Sequence, residues 1–80
     1  MITVRVKLFA TLRNYRLGLR LGESFPLELA HGATVADLLH QAGVPESEVK
    51  LVFVNCLLRG PELTVADGDE LGIFPPVGGG

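Results

Sequence analysis

Apolar and polar residues alternate along the first eight positions of the chain. Every second residue from Ile2 to Leu8 is aliphatic, and the residues between them are polar. Successive side chains of a strand point to opposite faces, so this pattern predicts a strand with one buried face. A second alternation, over residues 25–29, predicts another strand. Because Pro26 has no N–H to donate, we expect that strand at an edge of the sheet or beginning at this residue.

The segment between these two strands gives a weaker signal. Residues 10–15 allow a short helical turn. Leu17, Leu19 and Leu21 alternate between glycines, which fits either a strand or a loop held by leucines. The pattern leaves the structure of residues 14–24 open.

A helix is predicted over residues 35–42, where apolar residues recur at i, i+3, i+4 and i+7. Thr34 is a good N-cap residue, and Asp37 three positions later makes a close relative of the capping box. Gly43 stands where a left-handed C-cap is expected, and Pro45 cannot continue a helix. We expect one apolar stripe of this helix to face a sheet.

Three further strands follow the helix. Residues 51–54 are continuously apolar and favour β structure, which predicts a strand that is covered on both faces or central in the sheet. Asn55-Cys56 stands at a hairpin position, 57–59 returns, and 71–74 forms a last strand after the turn at 67–69. The order predicts an α+β fold, with one main helix packed on a mixed sheet of about five strands.

Composition limits what this fold can do. The chain has 80 residues, of which 48% are hydrophobic and 20% charged, so we expect one folded domain. A single cysteine, Cys56, excludes an internal disulfide and suits the reducing cytoplasm. The start of the chain does not resemble a signal peptide, and no stretch is long and apolar enough to span a membrane.

Charge is unevenly distributed along the sequence. Five of the seven cationic residues precede Glu23, the first acidic residue, and the remainder of the chain is acidic. Few aromatic residues accompany the cations, so nucleic-acid binding is disfavoured. The acidic part suits docking against a basic surface of a partner protein.

No conventional active site is apparent in the sequence. Residues 67–70 are acidic but lack the spacing of a calcium loop, so a turn is the better interpretation. His31 and His40 share no spacing with other metal ligands and are expected at the surface. Cys56 has no neighbouring cation in the sequence of the kind that activates reactive cysteines. We therefore predict neither a metal site nor a bound cofactor, and a chain that is not itself an enzyme.

The C-terminal residues 74–80 have the sequence Phe-Pro-Pro-Val-Gly-Gly-Gly. The prolines stop a strand, and the glycines cannot pack a core. We therefore divide the chain into a domain, 1–74, and a flexible tail, 75–80. Extended, the tail would carry the Gly80 carboxylate roughly 20 Å from the body at about 3.4 Å per residue. The alternatives are a frayed end and an arm that delivers this carboxylate to another protein.

Five stretches together resemble the MoaD/ThiS family of ubiquitin-like sulfur carriers, which have the β-grasp fold. They are residues 4–13, 32–39, 52–55, 67–70 and, most specifically, 74–80. Phe-Pro-Pro-Val before the glycines is more similar to MoaD, the small subunit of molybdopterin synthase, than to the thiamine carrier. Gly78, a third terminal glycine, and Cys56, in place of the usual glycine of an Asn-Gly turn, depart from the family pattern.

The resemblance implies a function for the tail. A MoeB/ThiF-like adenylating enzyme would use ATP to form an acyl-adenylate on Gly80, and sulfur would then replace AMP to give a thiocarboxylate. A MoaE-like large subunit would receive the sulfur for molybdopterin synthesis. Gly78 and Gly79 would complete the tail, and partners would contact five further residues: Leu58, Phe74, Pro75, Pro76 and Val77.

Other acceptors fit the same resemblance. Related carriers serve thiamine, cysteine or tRNA thiolation, and some members are conjugated to lysines as protein modifiers. A non-covalent interaction module is an alternative of a different class. Fold alone does not choose among these acceptors.

Overall fold

The computed structural model describes residues 1–15 and 23–76. Within them, five strands form one sheet in the order β2-β1-β5-β3-β4. β1 and β5 are parallel, and the other neighbouring strands are antiparallel. The elements are β1 (Ile2–Leu8), a first 3₁₀ helix (Ala10–Tyr15), β2 (Ser24–Leu29), α1 (Val35–Ala42), a second 3₁₀ helix (Glu46–Glu48), β3 (Leu51–Val54), β4 (Leu57–Arg59) and β5 (Glu70–Phe74).

The hydrophobic core lies between α1 and one face of the sheet. All four aliphatic residues of the β1 alternation are buried, as the sequence predicts. Helix α1 contributes the predicted apolar stripe, and β5 contributes Leu71 and Ile73. An α+β fold with one main helix on a mixed five-stranded sheet is confirmed.

Helix α1 has the predicted bounds and the predicted caps. The backbone N–H of Asp37 donates to Thr34 Oγ1 (3.3 Å), and the backbone N–H of Thr34 donates to Asp37 Oδ2 (2.9 Å). This reciprocal pair is a complete capping box. Gly43 ends the helix with φ 80°, a left-handed conformation that glycine adopts without strain.

Strand β2 lies at an edge of the sheet, as Pro26 predicts. Pro26 faces Arg5 of β1 in the antiparallel register. The side-chain amide of Gln41, on α1, donates to the carbonyl oxygen of Glu28. The helix therefore supplies a hydrogen bond to this strand besides its apolar contacts.

Strand β3 decides between the two predicted alternatives. It lies inside the sheet, paired on both sides by β4 and β5, as the second alternative predicts, and it is not covered on both faces. Val52 and Val54 are buried, whereas Leu51 is exposed and Phe53 is half-buried. The run is continuously apolar because its even-numbered residues lie in the core and its odd-numbered residues form part of an apolar surface on the other face of the sheet.

Two local predictions between strands are also confirmed. Residues 10–15 form the first 3₁₀ helix. Asn55 and Cys56 make the two-residue turn between β3 and β4, with φ of 51° and 70°. The leucines at 17, 19 and 21 lie outside the described residues. None of the helices in the described ranges is long and apolar enough to cross a membrane.

Candidate functional site

The face of the sheet opposite α1 carries no helix in the described part of the chain. We name it the open face and define it by the odd-numbered residues of β1 and β3 and by the residues that the strand register places beside them. Phe53 lies opposite Leu58 of β4 and Gly72 of β5, and Leu51 lies opposite Phe74. The open face is therefore apolar at the β3 side of the sheet.

Three phenylalanines form a cluster on this face. The rings of Phe9 and Phe74 stack with their centroids 4.1 Å apart and their planes at 7°. Phe53 meets Phe74 edge-to-face, with the centroids 5.5 Å apart and the planes at 81°. Both geometries are favourable for aromatic pairs. Leu58, of which 59% is exposed, extends the apolar surface toward the β4 edge.

The cluster borders a shallow groove of about 600 Å³. Arg5 and Lys7 of β1 line the groove beside the aromatic residues. The guanidinium of Arg5 donates from Nε and Nη2 to Ser24 Oγ, at 3.2 and 3.0 Å, and so spans from β1 to β2. Glu70, which lies opposite Arg5 in the strand register, also lines the groove, so two cations and one carboxylate adjoin the apolar surface.

The last residue of β5, Phe74, is the root of the tail. Its carbonyl oxygen accepts from the backbone N–H of Lys50 (2.8 Å), and the N–H of Phe9 donates to the carbonyl of its neighbour Ile73 (3.0 Å). Pro75 is half-buried and Pro76 is exposed. The chain therefore leaves the fold directly after a residue whose carbonyl is bonded to Lys50, just before β3, and whose neighbour is bonded to Phe9, just after β1.

The remaining tail predictions concern Val77, Gly78, Gly79 and Gly80, which lie outside the described residues. The structure brings the other predicted partner residues to one region: Leu58 and Phe74 share the open face, and Pro75 and Pro76 continue from it. Their roles in partner binding stay predictions.

A hydrogen bond crosses the end of the sheet from which the tail leaves. The first 3₁₀ helix follows β1 and the second precedes β3, and β5 lies between these strands. The hydroxyl of Tyr15 donates to Glu48 Oε1 (3.2 Å), joining the two helices across the end of β5. Partial burial, together with the charge and hydrogen bond of Glu48, raises the pKa of the Tyr15 hydroxyl.

The opposite end of β5 is fixed by polar side chains. Asn55 Nδ2 donates to Asp69 Oδ1 (2.9 Å), and Asn55 Oδ1 accepts from the backbone N–H of Glu70 (3.0 Å). Asp69 Oδ2 accepts from the backbone N–H of Ala66 (2.8 Å). Residues 67–69 form the predicted turn before β5, and Asn55 links this turn to the hairpin. Cys56 is exposed in that hairpin.

The histidines lie apart from this region and are both exposed, as predicted. Among the side chains of residues 1–15 and 23–76, no three His, Cys, Asp or Glu residues come together as possible ligands of a metal ion.

Sequence reasoning missed Phe9, Phe53 and Gly72 as members of this site. A signal for two of them was present. Phe9 extends the alternation of β1 on its polar side, and Phe53 has the same parity as Leu51 within β3. Large apolar residues on the supposedly exposed positions of two strands indicate a second apolar face. Gly72 has no comparable local signal, because its role depends on Phe9, which is distant in sequence.

Comparison with known proteins is consistent with this architecture. The model of the ThiS family matches residues 6–80. A Pyrococcus furiosus protein assigned as molybdopterin converting factor, subunit 1, is 28% identical and has a TM-score of 0.75, with 96% of this chain and 100% of that chain covered. Small archaeal modifier protein 1 from Methanosarcina acetivorans is 28% identical, with a TM-score of 0.69 and coverage of 100% and 98%.

A third similar structure is a complex of subunits 1 and 2 of molybdopterin-converting factor from Helicobacter pylori. The matched chain is 21% identical, with a TM-score of 0.61 and coverage of 99% of this chain and 100% of that chain, so this likeness concerns the fold alone. A search of curated proteins gives no match. The family match over nearly the whole length, on a β-grasp sheet with one main helix, shows that this chain belongs to the ThiS family of ubiquitin-like carriers and modifiers.

Proposed function

We propose that this chain is a sulfur carrier for molybdopterin synthesis and that Gly80 bears the reacting carboxylate. The observation that carries the proposal is the position of the tail root. Phe74 ends the central strand β5 within an apolar surface that includes Leu58. A partner that covers this surface is therefore placed beside the segment that leads to the glycines.

The chemistry requires activation by a second protein. A carboxylate is ionised at neutral pH and is a poor electrophile. In the proposed sequence, an oxygen of the Gly80 carboxylate attacks the α-phosphorus of ATP, and pyrophosphate leaves. The terminal sulfur of a persulfide then attacks the acyl carbon, and AMP leaves. A thiol cleaves the S–S bond of the resulting acyl disulfide, which leaves a thiocarboxylate on this chain and a disulfide on the donor.

Glycine suits the end of such a tail. Without a Cβ, the backbone of Gly78, Gly79 and Gly80 can enter a narrow channel and approach a nucleotide phosphate closely. ATP would be held by the activating enzyme, so the proposal assigns no cofactor to the carrier. It also places the carrier in the cytoplasm, where persulfide chemistry and a free Cys56 are compatible.

Two partners would use the same face in turn. The first is an adenylating enzyme of the MoeB/ThiF type, and the second is a MoaE-like subunit that accepts the sulfur. The Helicobacter pylori complex supports a partner of the second kind, because it pairs a protein of this fold with subunit 2 of molybdopterin-converting factor. Leu58, Phe74, Pro75, Pro76 and Val77 are the proposed contacts on the carrier.

The test is intact mass spectrometry after incubation with a MoeB-like enzyme, ATP and a persulfide donor. We expect a mass increase equal to the replacement of one oxygen by sulfur, mapped to Gly80. Leu57 and Leu58 offer a matched pair, because they are adjacent on β4, similarly exposed at 56% and 59%, and on opposite faces. Leu58→Asp should reduce the rate at least tenfold, whereas Leu57→Asp should not. An unmodified carboxylate with several activating enzymes would refute the proposal.

A protein modifier is the second candidate, favoured by the 28% identity to small archaeal modifier protein 1. It would form the same acyl-adenylate, but the acyl group of Gly80 would then be transferred to a lysine amine and not to sulfur. Peptides with a glycine remnant on lysines of other cellular proteins would distinguish it from a sulfur carrier. If deletion of Gly79 and Gly80 leaves the cellular phenotype unchanged, both candidates fail and a non-covalent interaction module remains.

A further inference from the structure

Phe74 is the residue at which the fold ends and the tail begins, and two residues outside the predicted site control its surroundings. We propose that Phe9 and Gly72 are positioning residues, which hold Phe74 so that the tail leaves the body in one direction. The inference rests on the proposed function for its kinetic consequence, but its structural consequence holds in the free protein.

The backbone of Phe9 is held by hydrogen bonds that do not depend on the contacts of its ring. Its N–H donates to the carbonyl of Ile73 (3.0 Å), and its carbonyl accepts from the N–H of Leu12 (3.1 Å). Phe9 therefore connects the end of β1 to β5 and begins the turn into the first 3₁₀ helix. A ring attached to a backbone held at both peptide groups is a fixed surface against which another ring can pack.

Phe74 is packed by that ring and by a second one. Phe9 stacks in parallel on it at 4.1 Å, and Phe53 meets it at 81°. The carbonyl of Phe74 is bonded to Lys50. Its side chain and its backbone are therefore both constrained, by β1 on one side and by β3 on the other.

The orientation of Phe74 determines the direction in which Pro75 and Pro76 extend from the fold. A residue that precedes proline is restricted to extended conformations, and each proline fixes its own φ near −65°. Consecutive prolines act as a semi-rigid spacer. A change of about 10° at Phe74 would therefore move the far end of this two-residue spacer, which is about 6 Å long at about 3.1 Å per residue, by about 1 Å. Misplacement on that scale is enough to slow a reaction that depends on alignment.

Gly72 makes the ring pair possible. A Cβ at this position would lie 3.2 Å from Phe9 Cε2 and 3.6 Å from Phe74 Cε1. The first distance is tighter than ordinary packing, so alanine would force the ring of Phe9 to shift by a few tenths of an ångström. Gly72 lies in the middle of β5, where a glycine weakens a strand unless close approach requires it. At Gly72 close approach is required, because the rings of Phe9 and Phe74 lie against the position that a side chain would occupy.

The kinetic test compares Phe9→Ala, Gly72→Ala and Leu58→Ala in adenylation by a MoeB-like enzyme. Loss of positioning should lower kcat about tenfold in the first two variants, with KM changed less than threefold. Leu58→Ala removes a contact surface and should instead raise KM. Gly72→Ala leaves the side chain of Phe9 in place, so a fall in kcat in this variant would not be caused by loss of a direct contact between Phe9 and the enzyme. Phe9→Tyr retains the ring and should restore kcat. A rise in KM alone for Phe9→Ala and Gly72→Ala would overturn the proposal.

The structural test uses NMR relaxation of Phe74 and Pro75 in the free protein. The order parameters of the Phe74 amide and the Pro75 Cα should fall in Phe9→Ala and Gly72→Ala, and should not change in Leu58→Ala. Phe9→Leu, which keeps apolar volume but loses the stack, provides the same comparison if Phe9→Ala does not fold. Unchanged order in the Phe9 and Gly72 variants refutes positioning. If the wild-type chain is never adenylated, the proposed function fails, whereas the relaxation result still decides this inference.

Discussion

Cys56 adopts a backbone conformation that usually belongs to glycine. Its φ of 70° lies in the left-handed region, where a residue with a Cβ is strained by about 1–2 kcal/mol. Glycine removes that strain but loses more conformational entropy on folding. We expect Cys56→Gly to raise the free energy of unfolding by about 0.5–1 kcal/mol, measured by chemical denaturation.

Cys56→Ala is the control for this prediction, because it removes the thiol and retains the Cβ. Its stability should change by less than about 0.5 kcal/mol. A lower stability for Cys56→Gly than for Cys56→Ala would show that the turn carries no such strain. Cys56 lines the same groove as Phe74, but the proposed sulfur transfer uses no thiol of this chain, so neither variant should abolish formation of the thiocarboxylate.

Asp37 gives the helix cap a pH dependence. Hydrogen bonds from the Thr34 backbone and hydroxyl, aided by the nearby charge of His40, lower the pKa of the Asp37 carboxyl below its ordinary value of 3.8. A carboxyl with a lowered folded-state pKa stabilises the fold above its unfolded-state pKa, and this contribution is lost as the pH falls through the folded-state value.

We therefore expect the stability difference between the wild-type chain and Asp37→Asn to be constant at neutral pH and to shrink below about pH 4. Urea denaturation across this range would measure it. The same difference at pH 6 and at pH 2.5 would contradict the assignment of the capping box as its source.

Among the elements, the two 3₁₀ helices are joined across the end of β5 by the bond between Tyr15 and Glu48. The raised pKa of Tyr15 means that the neutral hydroxyl is favoured by folding. This contribution is complete below the ordinary value of about 10 and is lost as the pH rises through the folded-state pKa. Tyr15→Phe should remove this alkaline loss of stability while retaining the ring.

Ultraviolet titration of the single tyrosine would report the pKa of Tyr15 directly. Glu48→Gln should move it back toward 10, because it removes the negative charge. Glu46→Gln, in the same 3₁₀ helix, provides the control. Equal titration curves for all three proteins would exclude Glu48 as a cause of the shift.

The elements that could be predicted are those whose signals are local. The alternation in β1 and the caps of α1 depend on residues within one strand or one helical turn, and both are confirmed. The run in β3 predicted a strand either covered on both faces or central in the sheet, because a continuous apolar run does not show whether its second face is covered by a helix or left as a surface. The structure shows the second alternative.

The residues of the site also differ in whether a local signal predicts them. Leu58 and Phe74 were predicted as partner contacts through the family resemblance, and the structure places both on the open face. Phe9 and Gly72 were missed because their importance arises from the parallel pairing of the first and last strands, which are more than sixty residues apart in the chain. No local pattern contains that information.

At the scale of the whole molecule, two of the cations that precede Glu23 in the sequence lie together at the groove on the open face. Arg5 and Lys7 line the groove beside the aromatic cluster, whereas Arg59 lies on the opposite face of the sheet. Glu70 lines the same groove, so the complementarity concerns Arg5 and Lys7: a partner with carboxylates beside these two residues would complement them. We expect Arg5→Glu with Lys7→Glu to weaken binding to the activating enzyme about tenfold at low salt.

Surface plasmon resonance at two salt concentrations would test this expectation. The effect should diminish as salt is raised, since exposed charges are screened. Arg59→Glu, an exposed charge reversal outside the groove, should change affinity less than twofold. Equal effects of the two charge reversals would indicate that net charge acts rather than the groove.

The central position of β5 has a consequence for the synthesis of the protein. β5 pairs with β1 on one side and β3 on the other, so the sheet is divided until this strand is in place. It is also the last of the five strands to be synthesised. Such long-range pairing delays folding until all five strands have been made. A chain that ended before β5 would lack both the glycines and the strand that closes the sheet, so termination at that point would produce an unfolded fragment rather than a folded competitor for the activating enzyme.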